Sequence, residues 1–92
     1  MNTILRYIVP VDDQWHSHDL SGDVLHVQSR QVNTVDLWAF ATAGPTVRRW
    51  FRAYGTGHPL PNDARYVGTA VAEPFVWHLM ESATDPTRGT GP

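Results

Sequence analysis

Apolar and polar residues alternate along most of this chain, in short runs broken about every ten residues by Gly, Pro, Asn, Asp or Ser. Over residues 3–9, Ile4, Arg6 and Ile8 share one face, and Leu5, Tyr7 and Val9 share the other, which is the better core face. Pro10 has no N–H to donate and ends that run. Residues 14–20 predict a short edge strand carried by Trp15 and Leu20, after an Asp12-Asp13 turn. Ser21-Gly22-Asp23 is a tight-turn signal.

The clearest alternation spans residues 24–30, with Val24, His26, Gln28 and Arg30 on one face and Leu25, Val27 and Ser29 on the other. A turn follows, in which Asn33 can adopt a left-handed backbone. Residues 35–42 predict a strand with Leu37, Ala39 and Ala41 opposite Asp36, Trp38 and Phe40. Residues 46–54 predict a longer one, with Val47, Arg49, Phe51 and Ala53 backing an Arg48-Trp50-Arg52-Tyr54 ladder. After a Gly/Pro loop, residues 65–71 form a further strand, with Gly68 marking a bulge or a close backbone approach. Ala72-Glu73-Pro74 turns into the last strand, residues 75–81. No segment sustains a 3.6-residue period. The expectation is an all-β domain over residues 1–82, a single small antiparallel meander of six or seven strands closing into a barrel or a sandwich. Residues 83–92 hold no apolar anchor and read as a flexible tail.

Composition narrows the classes. A chain of 92 residues makes one domain, and 41% apolar content is ordinary for a globular one. Four Trp, three Tyr and three Phe supply large rings for pleated surfaces. With no cysteine there is neither a disulfide nor a thiolate zinc site, which fits a reducing compartment. A net charge of −2 argues against bulk nucleic-acid binding. All seven basic residues are arginine. No apolar run approaches the roughly 18–20 residues of a membrane span, and the opening residues lack a signal-peptide pattern.

Candidate chemistry concentrates between Arg48 and Pro61. Arg48 and Arg52 interleave with Trp50 and Tyr54, so guanidinium groups stand beside stacking surfaces, the pairing that recognises phosphate and base together. The same pattern serves an amphipathic strand whose arginine stems cover apolar surface. Gly55, Thr56, Gly57 and His58 follow in a loop where successive amides can cradle an anion. Leu60 stands where a dinucleotide motif needs its third glycine, and no Walker lysine is present, so a shaped connector with His58 at its tip is the competing reading. His16 and His18 share a strand face and offer the start of a metal site, although this spacing is common on polar strands. No Cys nucleophile and no nucleophile-elbow Ser is present, so a non-enzymatic role is expected, with no cofactor.

The string Tyr54-Gly55-Thr56-Gly57-His58-Pro59-Leu60-Pro61 is the most specific in the chain. With Trp38 before it, Tyr66-Val67-Gly68-Thr69 after it, and the opening Ile4-Leu5-Arg6-Tyr7, it resembles a family of small uncharacterised phage and prophage proteins over about residues 3–81. The resemblance implies a phage accessory protein acting in the host cytoplasm, and it brings no catalytic residues with it. The His16-x-His18 pair and the Arg48-Arg49 doublet are not part of that family's pattern. The expected partners are a small anionic, nucleotide-like ligand or a host protein, with a homo-oligomer possible. The alternative is a virion or assembly component.

Overall fold

In the computed structural model, residues 2–86 are described and fold into seven antiparallel strands. The strands are β1 (Thr3–Pro10), β2 (His16–Leu20), β3 (Val24–Gln28), β4 (Thr34–Ala41), β5 (Val47–Gly55), β6 (Ala64–Ala72) and β7 (Phe75–Ser82). They form a three-stranded sheet of order β1-β4-β3 and a four-stranded sheet of order β2-β5-β7-β6. The architecture is all-β, as expected, and closes as a sandwich rather than as a barrel. Its strand order is not that of a simple meander. Chain neighbours pair at β3–β4 and β6–β7; the chain crosses between sheets after β1, β2 and β4, and β7 lies between β5 and β6. The expected tail begins at residue 83, and its residues 87–92 lie outside the described residues.

The inward faces supply one core. Val9, Val27, Val35, Leu37 and Ala39 come from the first sheet, and Leu20, Phe51, Ala53, Ala70 and Leu79 from the second. Phe51, Leu37, Leu79, Val9 and Val35 are fully buried, and burying each such side chain stabilises by about 1.5–3 kcal/mol. Alternation picks the right face in β1 and β4, but Leu5 remains half exposed at the open end of β1.

In β3 a bulge between Val24 and His26 breaks the two-residue period. It turns Val24 and Val27 to the core side together and leaves Leu25 exposed, so the even and odd faces expected over residues 24–30 do not hold.

Side chains stitch the chain where it changes sheet. Ser21 Oγ accepts from the Thr42 amide at 2.8 Å, and Thr42 Oγ1 donates to the Ser21 carbonyl at 3.1 Å. A Cβ on Gly22 would stand 2.6 Å from the Phe40 carbonyl oxygen, so only glycine fits that crossing. On the opposite side His18 Nε2 donates to the Ile8 carbonyl at 2.9 Å, tying β2 to β1. Its ring lies 5.2 Å from that of Tyr7. Asn33 does adopt a left-handed conformation, at φ 63°.

Gly68 is both bulge and close approach. The β6–β7 register shifts between Tyr66 and Gly68, and a Cβ at Gly68 would lie 2.6 Å from Val27 Cγ2. We therefore expect Gly68→Ala to destabilise by about 1–3 kcal/mol in urea unfolding, with Val27→Ala in the same chain recovering part of the loss. Additive losses in the double variant would show that the two positions do not press on each other.

Candidate functional site

Strand β5 is paired unevenly. On one side its residues 47–51 meet β2. On the other, pairing with β7 begins only at Phe51↔Glu81, because β7 ends at Ser82. The sheet thus has a notch beside the first residues of β5, a hollow of about 550 Å³ bounded by Arg48, Arg49, Trp50, Arg65, Glu81 and the chain from Ser82 to Asp85.

Inside the notch, Arg49 and the buried Glu81 form a two-pronged pair, with Nε to Oε2 and Nη2 to Oε1 both at 2.7 Å. The Glu81 hydrogen bond raises the Arg49 guanidinium above its ordinary value, against the cost of burial. Arg65, the cross-strand neighbour of Glu81, reaches the same carboxylate only at 3.7 Å. Arg48 meets Asp19 across β2 at 3.2 Å. The Arg48 and Arg65 side chains are 63% and 64% exposed. The Arg48–Asp19 pair is exposed on both sides and contributes little in water, and Arg65 reaches the buried Glu81 carboxylate, already held by Arg49, only at 3.7 Å, so both guanidinium groups can turn to a doubly charged phosphate.

The eight residues singled out in the sequence do not converge on one place. Arg48 and Trp50 line the notch. Arg52 and Tyr54 lie farther along the outer face of the second sheet. The Arg52 guanidinium sits over the Tyr54 ring at 4.8 Å and 3.9 Å from Asp13, and its buried Nε has no hydrogen-bond partner. Tyr54 is 6% exposed, with Trp15 edge-on at 6.2 Å, and burial raises its phenol above the ordinary value.

Thr56 turns outward to His78, with Oγ1 2.8 Å from Nε2. The His78 Nδ1 is 3.1 Å from Thr69 Oγ1, which is 2.7 Å from the Tyr66 hydroxyl. Gly57 supplies the loop's positive φ, at 89°. The His58 ring turns the other way and lies over Gly55, where an added Cβ would be 3.2 Å from Cε1. The space that a side chain at Gly55 would take is thus filled by an imidazole.

Arg65 and Glu81 were not visible as site residues from sequence, since only the register of β6 on β7 puts them opposite each other. His16 and His18 are separately engaged. His16 Nε2 bonds Asp12 Oδ1 at 2.7 Å and lowers that carboxyl below its ordinary value, while His18 serves the Ile8 carbonyl. Among the described residues no group of three or more metal-ligating side chains is assembled, and no helix is long and apolar enough to cross a membrane.

Fold and notch together define a small two-sheet module with a guanidinium-lined break in one sheet. The chain belongs to the family described as Domain of unknown function (DUF7352), which it matches over residues 1–89. No curated protein and no solved structure matches it.

Two outcomes follow from these contacts. Glu81→Ala strands Arg49 beside the core and should cost about 3 kcal/mol in urea unfolding, since breaking a largely buried pair leaves one charge uncompensated. A loss under about 1 kcal/mol would mean that water replaces the carboxylate there. The raised Tyr54 phenol favours the folded state fully below about pH 10, and that stability is lost as pH rises through its folded-state value. An ultraviolet titration should therefore contain a phenolate step above pH 10 that Tyr54→Phe removes.

Proposed function

We propose that this is a non-enzymatic phage accessory protein, acting in the host cytoplasm, which binds a small anionic, nucleotide-like ligand in the notch beside β5. One observation carries the reading. Arg48 and Arg65, both largely exposed, stand with Arg49 and Trp50 around one hollow of about 550 Å³, a size suited to a small molecule. Guanidinium groups take the phosphate and an indole face takes the base. The buried Glu81 holds Arg49 in place and keeps the floor rigid. The phage setting and the accessory role are both drawn from the resemblance that the Tyr54–Pro61 string carries.

A second reading, a virion or assembly component, is favoured by the outer face of β1-β4-β3. There Ile4, Ile8 and Phe40 are 53%, 41% and 41% exposed on a flat module of 40 × 40 × 17 Å. Paired faces of this kind also suit a homo-oligomer or a host protein.

Calorimetry with nucleoside diphosphates and cyclic nucleotides tests the first reading. Arg48→Ala and Arg65→Ala should each weaken binding about tenfold, the loss of one charge-assisted contact, while Arg52→Ala leaves it nearly unchanged. No heat from any of these compounds removes the reading. Detection of the protein in purified virions by mass spectrometry would favour the second.

A further inference from the structure

The end of the sandwich opposite the notch holds a different chemistry. Phe75 and Trp77 are alternate residues of β7, and their rings stack at 5.5 Å with planes 20° apart. Phe75 is 53% exposed, although it lies on the same strand face as the core residue Leu79. The two rings form a ridge between two hollows of about 380 Å³ each. One hollow is walled by the β3–β4 turn with Arg30, and by Glu73. The other is walled by Gly55, Thr56 and His58.

His58 distinguishes this place. The other four histidines have their rings hydrogen-bonded, His16 to Asp12, His18 to the Ile8 carbonyl, His26 to Gln28, and His78 to Thr56 and Thr69. His58 has no side-chain hydrogen bond among the described residues. Its ring is nonetheless placed, against the bare Cα of Gly55 and beside the aromatic ridge. The loop backbone fixes it there through the His58 amide, which donates to the Gly55 carbonyl at 3.2 Å, and through Gly57 at φ 89°.

We infer that the Phe75–Trp77 ridge and His58 form a binding site for a small, neutral heteroaromatic ring. The ridge offers a flat stacking face, and such stacking is worth about 1–3 kcal/mol per ring. A neutral imidazole offers one donor and one acceptor, which suits a ring edge carrying both. The occupant is neutral because no Arg, Asp or Glu lines the hollow that holds His58, and across the ridge the charges of Arg30 and Glu73 oppose each other. This site is independent of the notch. Phe75 and Glu81 stand six positions apart on β7, about 20 Å, beyond the reach of one mononucleotide.

The test is an NMR titration of the full chain with adenosine, and with indole as a stacking probe that lacks an acceptor edge. Adenosine should shift the Trp77 indole N–H and the Gly55 and Thr56 amides saturably below about 10 mM. His58→Ala should weaken adenosine about fivefold, the value of one hydrogen bond, and weaken indole less, since indole offers a donor alone, whereas Arg48→Ala should alter neither. His58→Gln, which keeps a donor and an acceptor, should retain part of the adenosine affinity. The inference fails if adenosine causes no saturable shift at these residues, or if His58→Ala leaves adenosine binding as it was. An Arg48→Ala chain that loses adenosine at the ridge would equally overturn it, by making the two ends one site.

Discussion

Val27 stands against the bare Cα of Gly68, and through that approach the free edge of β3 comes down on the free edge of β6. Interiors pack at near-crystalline density, so a single methyl at this point would hold the sheets apart. The bulges on both strands meet here as well, one between Val24 and His26 and one between Tyr66 and Gly68. Each adds local twist, and together they bend two short sheets until their inward faces share one core. On the far side β1 is held to β2 by the His18 hydrogen bond and the Tyr7 ring. The strand edges that would otherwise invite pairing with another chain are thereby turned toward each other.

Strand β7 links this architecture to the candidate chemistry. Its inward-facing residues run Phe75, Trp77, Leu79, Glu81. Leu79 seals the core, Glu81 anchors Arg49 in the notch, and Phe75 with Trp77 makes the ridge at the other end. A single strand face thus grades from aromatic through aliphatic to ionic over about 20 Å. The two hollows differ because the strand meets different neighbours at each end. At one end β7 stops short of β5 and leaves guanidinium groups around a gap. At the other, the two turns that flank it leave stacked rings uncovered.

The glycine loop illustrates how a motif changes meaning in three dimensions. Read as a string, Gly55-Thr56-Gly57-His58 invites an anion on its amides. In the fold each residue has a separate task. Gly55 leaves room for the His58 ring, Thr56 bonds His78 on the opposite face, and Gly57 takes the positive φ that lets the loop turn. Thr56 and Gly57 are the middle of a tight turn closed by the His58 amide on the Gly55 carbonyl, so the side chains of this contiguous motif leave it on different sides and do not make one site.

How much was legible in the residues follows from the range of the forces involved. Strand positions, the Asn33 turn and the Arg48-Trp50-Arg52-Tyr54 face all depend on neighbours two or four residues away, and alternation with turn chemistry is enough to read them. Gly68, by contrast, shows in the string only as a glycine inside a strand pattern, and its need for a small residue comes from Val27. The break in alternation within residues 24–30 was not readable, because the bulge between Val24 and His26 exists only in the pairing of β3 with β4. Nor was the strand order, since seven strands of similar alternation can pair in many ways, and the order that forms is one that buries Phe51, Leu37 and Leu79 in one core. The partnership of Arg49 and Arg65 with Glu81, and the seating of His58 against Gly55, likewise depend on register between distant segments. Local pattern therefore determined that this chain forms strands and where they turn. Tertiary packing alone decided which strands meet, and with that which arginines surround a gap and which rings are left bare.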